Sequence, residues 1–107
     1  MSSNLIGPTI FESKFTTYIL FSPSLNRYYI GQTSDLPARL RFHAAGSTDF
    51  TAQADDWQLV FAEPFMDRAS AVALELAIKR AKSRRSIARY RADPRNTIRT
   101  PLPIADW

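Results

Sequence analysis

The stretch Tyr28-Tyr29-Ile30-Gly31-Gln32-Thr33-Ser34-Asp35-Leu36-Pro37-Ala38-Arg39-Leu40-Arg41-Phe42-His43 decides how this chain is read. Its first part favours an extended backbone, because aromatic and β-branched side chains fit a pleated surface. Gly31 closes that strand, where the missing side chain lets another group approach closely. Ser34 or Asp35 can then cap a helix, and Pro37 falls in its first turn, where a missing N–H does no harm. Beyond the cap, Leu36, Leu40, His43 and Ala44 recur at helical spacing and mark an inward face. Gly46 is a natural stop.

Upstream, Phe15-Thr16-Thr17-Tyr18-Ile19-Leu20-Phe21 reads as a strand and Ser22-Pro23-Ser24-Leu25-Asn26 as a turn. Arg27–Gly31 therefore pairs back as the second strand of a hairpin. Downstream, residues 46–56 read as polar loop and Trp57–Phe61 as a third strand. Asp67 caps a helix to about Lys82, with Ala71, Leu74, Ile78 and Ala81 as its buried stripe. A short helix is expected over Arg84–Tyr90. The order β-β-α-β-α-α predicts an α/β (α+β) fold with a small three-stranded antiparallel sheet flanked by helices. Residues 1–14 read as a lead-in, 15–91 as the domain, and 92–107 as an irregular tail containing Pro94, Pro101 and Pro103.

The chain has 107 residues, one domain's worth, with 45% apolar and 22% charged residues, a balance that argues against wholesale disorder. It has no cysteine, which excludes disulfide staples and thiolate metal sites. The first residues read as neither a secretion signal nor a membrane span. A cytoplasmic location is the expectation. The net charge of +4 is unevenly spread. Residues 1–78 carry −3, whereas 79–107 carry +7, with nine of the fourteen basic side chains. A run from Lys79 through Arg80, Lys82, Arg84, Arg85 and onward to Arg99 can track a phosphate backbone, or form a solvated face.

Four side-chain groupings carry candidate chemistry. Tyr18 and Tyr29 lie on the two hairpin strands, close enough to meet on the sheet or to be ordinary strand aromatics. Arg39 and His43 share one side of the first helix. That arginine can bind a phosphate bidentately or snorkel over the core. His43 is the only histidine, which excludes a multi-histidine metal site. Glu75 lies roughly 80° from the centre of its helix's apolar stripe, on the border between core and water. A single carboxylate there suits Mg²⁺, which takes few protein ligands and keeps its waters; equally, it can pair with Lys79 one turn on.

In combination, these residues resemble the GIY-YIG nuclease superfamily. The likeness covers about residues 14–90 and is nearest to short, stand-alone members of the UvrC/URI type, related to the amino-terminal nuclease domain of the excision-repair protein UvrC. Tyr29-Ile30-Gly31 matches the second signature intact. Tyr18 matches the tyrosine of the first, with Thr16-Thr17 in place of Gly-Ile. Trp57-Gln58-Leu59-Val60 and Ile78–Arg85 fit the same subgroup.

The resemblance implies a metal-dependent endonuclease that hydrolyses DNA phosphodiester bonds with little sequence specificity, structure selectivity and a link to DNA repair. Tyr18, Tyr29, Arg39, His43 and Glu75 are then the catalytic set. Glu75 holds one Mg²⁺ or Mn²⁺, Arg39 clamps a phosphate oxygen, and His43 assists proton transfer or contacts phosphate. A tyrosine orients or deprotonates the attacking water, with Tyr29 favoured as base and Tyr18 as its partner. Arg39, Lys79, Arg80, Lys82, Arg84 and Arg85 bind nucleic acid, while Ser47, Thr48 and Thr51 either add phosphate contacts or are simply solvated loop.

One departure bears on activity. Many members place an asparagine about a dozen residues after the glutamate, where this chain has Ile87-Ala88-Arg89, with Asn96 farther on. Either the subgroup does without it, or activity is lowered. Two rival readings follow: a non-catalytic nucleic-acid-binding module of the same fold, and an interaction protein whose tail (Ile98, Leu102, Ile104, Trp107) docks on a partner. The same tail can instead cover its own domain. The oligomeric expectation is a monomer or weak dimer.

Overall fold

The computed structural model describes residues 14–46, 50–81 and 83–106. Its elements are β1 (Phe15–Ser22), β2 (Arg27–Thr33), α1 (Leu36–Ala44), β3 (Gln58–Phe65), α2 (Arg68–Ala81), α3 (Arg84–Ala92) and β4 (Leu102–Pro103). The sheet order is β2-β1-β3-β4, antiparallel at every pair. The expected α+β class holds, but the sheet has four strands rather than three. The fourth comes from the segment expected to be irregular. Proline suits it there, because an edge strand tolerates the missing N–H.

Alternation along β1 sorts the core onto the two sheet faces. Tyr18 and Leu20 point to one face and pack with Leu36 and Leu40 of α1, Trp57, Leu59 and Ile104. Ile19 points to the other, with Val60, Phe61, Ile78 of α2 and Ile87 of α3. Between Ile19↔Phe61 and Leu20↔Leu59 the register slips by one, leaving Val60 as an extra residue. This bulge puts Val60 and Phe61 on the same face.

The caps follow the sequence. Asp35 accepts from the Ala38 N–H at 3.2 Å, Asp67 from the Ser70 N–H at 2.7 Å, and Ser83 from the Ser86 N–H at 3.4 Å. Two inward assignments are corrected: Ala44 and Ala81 are exposed, because each falls in the last turn, where its helix leaves the sheet. Thr51, expected in a solvated loop, is 1% exposed and sits in a 3₁₀ turn whose carbonyl accepts from Trp57 Nε1 at 3.0 Å. It is therefore no surface phosphate contact. Ser47, Thr48, Lys82 and Trp107 lie outside the described residues, as do residues 1–13 of the expected lead-in.

Asn96 holds the segment after α3 against β3. Its Oδ1 accepts from the N–H groups of Ala62 (3.1 Å) and Ile98 (2.9 Å), and its Nδ2 donates to the carbonyls of Val60 (3.1 Å) and Arg91 (2.9 Å). The amide's two donors and both oxygen lone pairs are thus used inside the fold. Replacing Asn96 by alanine should orphan several buried backbone groups and cost about 3 kcal/mol. Urea unfolding of the two proteins measures this.

Candidate active site

β1 and β2 pair Tyr18 with Gly31. A side chain at Gly31 would place its Cβ 2.7 Å from Tyr18 Oη and 2.9 Å from Cζ, so the tyrosine ring fills the space that the glycine leaves open. The close approach anticipated at Gly31 is made by the protein's own ring. Lying across β2, that ring brings its hydroxyl to His43 Nε2 of α1, with which it shares a 2.8 Å hydrogen bond. Tyr29, the next residue on the same face of β2, stacks with Tyr18 at 6.3 Å between centroids and meets the His43 ring edge-on at 4.6 Å.

Arg39 stands one helical turn before His43 and interacts with the hydroxyls of both Tyr18 and Tyr29. Its guanidinium lies 4.8 Å over Phe42, while its Nε is buried with no hydrogen-bond partner. Glu75 approaches from α2 on the opposite face of the sheet, and its charge acts on the Tyr18 hydroxyl. Its carboxylate accepts from Lys79 Nζ at 2.6 Å, the i,i+4 pairing of one exposed helix face. The fold therefore brings Tyr18, Tyr29, Arg39 and His43 together, while Glu75 stands on α2, which packs on β1 and β2 from the other side, and is linked to them only through its charge. Of the basic residues after Glu75, Lys79 and Arg84 border an adjoining groove, and Arg80 and Arg85 are exposed.

The electrostatics divide these groups. Tyr18 is fully buried, and loss of hydration pushes its pKa up to about 12 against the opposing influence of Arg39. It stays protonated at neutral pH. His43 is 1% exposed, and burial, with the nearby Arg39 charge, lowers its pKa to about 4. It is a neutral imidazole at pH 7, and its Nδ1 is buried with no hydrogen-bond partner.

Sequence reasoning missed three supports. Asn96 is one, described above. Asp56 is another: it accepts from Ser22 Oγ at 2.6 Å, from Ser24 N–H at 2.8 Å and from Ser24 Oγ at 3.0 Å, pinning the β1–β2 turn. Asn26 is the third, with φ of 54° in the left-handed region that asparagine tolerates. It accepts two hydrogen bonds from Arg84. Only the turn composition hinted at Asn26; nothing local marked the other two, each of which has partners more than thirty positions away in sequence.

The model of the GIY-YIG catalytic domain family matches residues 14–90. A UPF0213 protein of Xanthomonas axonopodis pv. citri (strain 306) is 38% identical over 69 residues, covering 64% of this chain and 68% of that one. No solved structure matches the chain significantly. The chain belongs to the GIY-YIG family, and the tyrosine of each signature is a member of the cluster just described. Among the described residues, no helix is long and apolar enough to cross a membrane.

The low His43 pKa has a measurable consequence. Protons bind the unfolded chain's histidine, with its ordinary pKa of about 6.5, before they bind the folded one. Stability contributed by the neutral ring is complete above that value and is lost as pH falls toward about 4. From pH 7 to pH 5 the loss should be about 2 kcal/mol. Comparing denaturant unfolding of the native chain with His43→Asn at both pH values isolates it.

Proposed function

We propose that this chain is a metal-dependent endonuclease that hydrolyses DNA phosphodiester bonds, with selectivity set by substrate structure rather than base sequence. The observation that carries the reading is the gathering of Tyr29 and Arg39 around a buried Tyr18–His43 pair, with Glu75 on α2, which packs on the same two strands. The donor set fits Mg²⁺ or Mn²⁺. Glu75 is a hard oxygen ligand with a side chain 17% exposed, and no group of three or more His, Cys, Asp or Glu able to hold a metal occurs among the described residues. Such a site suits an ion that keeps most of its waters, and does not suit structural zinc. Held by Glu75, the ion supplies Lewis-acid stabilisation of the phosphate and of the leaving 3′ oxygen.

The protein groups then divide the work. Arg39 pairs with a non-bridging oxygen and offsets the charge gathering there in the transition state. Tyr29 takes the proton of the attacking water, with Arg39 beside its hydroxyl. Tyr18 serves as the fixed partner: its pKa of about 12 makes it a poor base at neutral pH and a persistent hydrogen-bond donor. His43, neutral and buried, holds the Tyr18 hydroxyl in place. Exposed Arg80 and Arg85 bind flanking phosphates without reading bases.

A second reading, a nucleic-acid-binding module without catalysis, draws on the asparagine. Asn96, too distant in sequence for the expected position, spends its whole amide on the fold.

Plasmid, single-stranded and branched DNA incubated with Mg²⁺ or Mn²⁺ decide between them. Under the nuclease reading the native chain cuts, Glu75→Ala does not, and Tyr29→Phe is slower by about 10²-fold or more. Tyr18→Phe should lose less; the reverse ranking would make Tyr18 the base. Salt-sensitive binding without cleavage in either metal would favour the second reading.

A further inference from the structure

A groove of about 410 Å³ runs along the outer edge of β2, next to the candidate active site. It touches that site at two points. Lys79, on one wall, is ion-paired with Glu75 one helical turn away. Phe50, on another, has its ring centroid 5.8 Å from that of Tyr29. The remaining surface combines Tyr28 and Ile30 of β2 with Arg27 and Arg84, and among the described residues no carboxylate lines it.

Arg84 is fixed rather than free. Its two terminal nitrogens donate to Asn26 Oδ1 at 2.8 Å and to the Asn26 carbonyl at 2.6 Å, and its guanidinium lies 5.7 Å over the Tyr28 ring. Tyr28 is itself packed on Phe21, at 4.7 Å between centroids. The result is a flat cationic surface, immobilised before any ligand arrives, which lowers the ordering cost of binding. Planar arginine and aromatic surfaces of this kind are what unpaired bases stack on. The volume falls in the range of small-ligand sites.

The lining narrows the occupant. An apolar ligand has no use for three cations, and a free phosphate has none for Phe50, Tyr28 and Ile30. A nucleotide satisfies both sets. We propose that this groove holds an unpaired nucleotide of the DNA strand, next to the phosphodiester that is cut. Its base lies against Phe50, Ile30 and the Tyr28–Arg84 stack, and its phosphate lies on Lys79 and Arg27. The groove assignment needs only that DNA binds here; its position beside the cut bond rests on the nuclease reading above. The competing platform is Phe42, 39% exposed at the other side of Arg39.

Photocrosslinking tests this without metal and therefore without cleavage. Thymine-tract oligonucleotides carrying 5-iododeoxyuridine are irradiated with the native chain, and adducts are mapped by mass spectrometry. The expected adducts fall on Tyr28 or Phe50. Arg84→Ala should lower their yield at least about fivefold, the smallest loss expected for a stacking contact. Arg84→Lys keeps the charge but not the plane, and it should lower the yield as much. Adducts on Phe42 in place of the groove, or native yield from Arg84→Lys, would overturn the proposal. Groove adducts from a chain that never cuts with Mg²⁺ or Mn²⁺ would uphold the groove and remove the nuclease reading. Cleavage without groove adducts would remove the groove alone.

Discussion

Everything at the candidate site depends on a ring lying across a glycine. Tyr18 occupies the space above Gly31 that any side chain would fill, and its hydroxyl thereby reaches past β1 to His43. The contact joins three elements that are separate in sequence: β1, β2 and α1. It fixes the hairpin register, since a slip of one residue would set a side chain under the ring and turn Tyr18 to the other face. It also fixes the rotation of α1, because His43 must face inward to meet the hydroxyl. Both partners are neutral, and neutrality makes the contact affordable in a core.

Around this neutral centre the charged groups are arranged by how far they can afford to be dry. Arg39 and Glu75 are only partly buried and lie at the borders of their helices. Glu75 meets the opposite charge of Lys79 there, in an ion pair open enough to be exchanged cheaply. The site is thus rigid where it positions and open where it binds, the combination a preorganised centre requires.

Much of this was legible in the sequence, for definable reasons. The hairpin, α1 and α2 are encoded locally by alternation, caps and helical spacing, so their existence and most inward residues could be read directly. The border position of Glu75 followed from the helical wheel. What could not be read were interactions whose partners are distant in the chain. The fourth strand is only two residues long and begins after a proline, so it carries no periodic signal; it forms because β3 offers an edge to pair with. Asn96 read only as an asparagine too distant for the family position, and its amide is a clamp between α3 and β3. The failure at Ala44 and Ala81 has a different origin. Periodicity gives direction around a helix axis but not where the helix runs off the sheet.

The C-terminal segment also settles which surface is available. An unpaired sheet edge is a hazard that folds cover. Here β4 pairs with Gln58 and Leu59, while Asn96 and Thr97 take up the backbone groups of Val60 and Ala62. The β3 side of the sheet is therefore sealed by the chain itself. At the opposite edge, among the described residues, β2 has β1 as its sole strand partner in the sheet. That open edge carries Tyr29 and Gly31 of the candidate site and Tyr28 and Ile30 of the groove, with Lys79 and Arg84 beside it. One edge is thus covered by the chain, while the other carries cations beside the buried tyrosine.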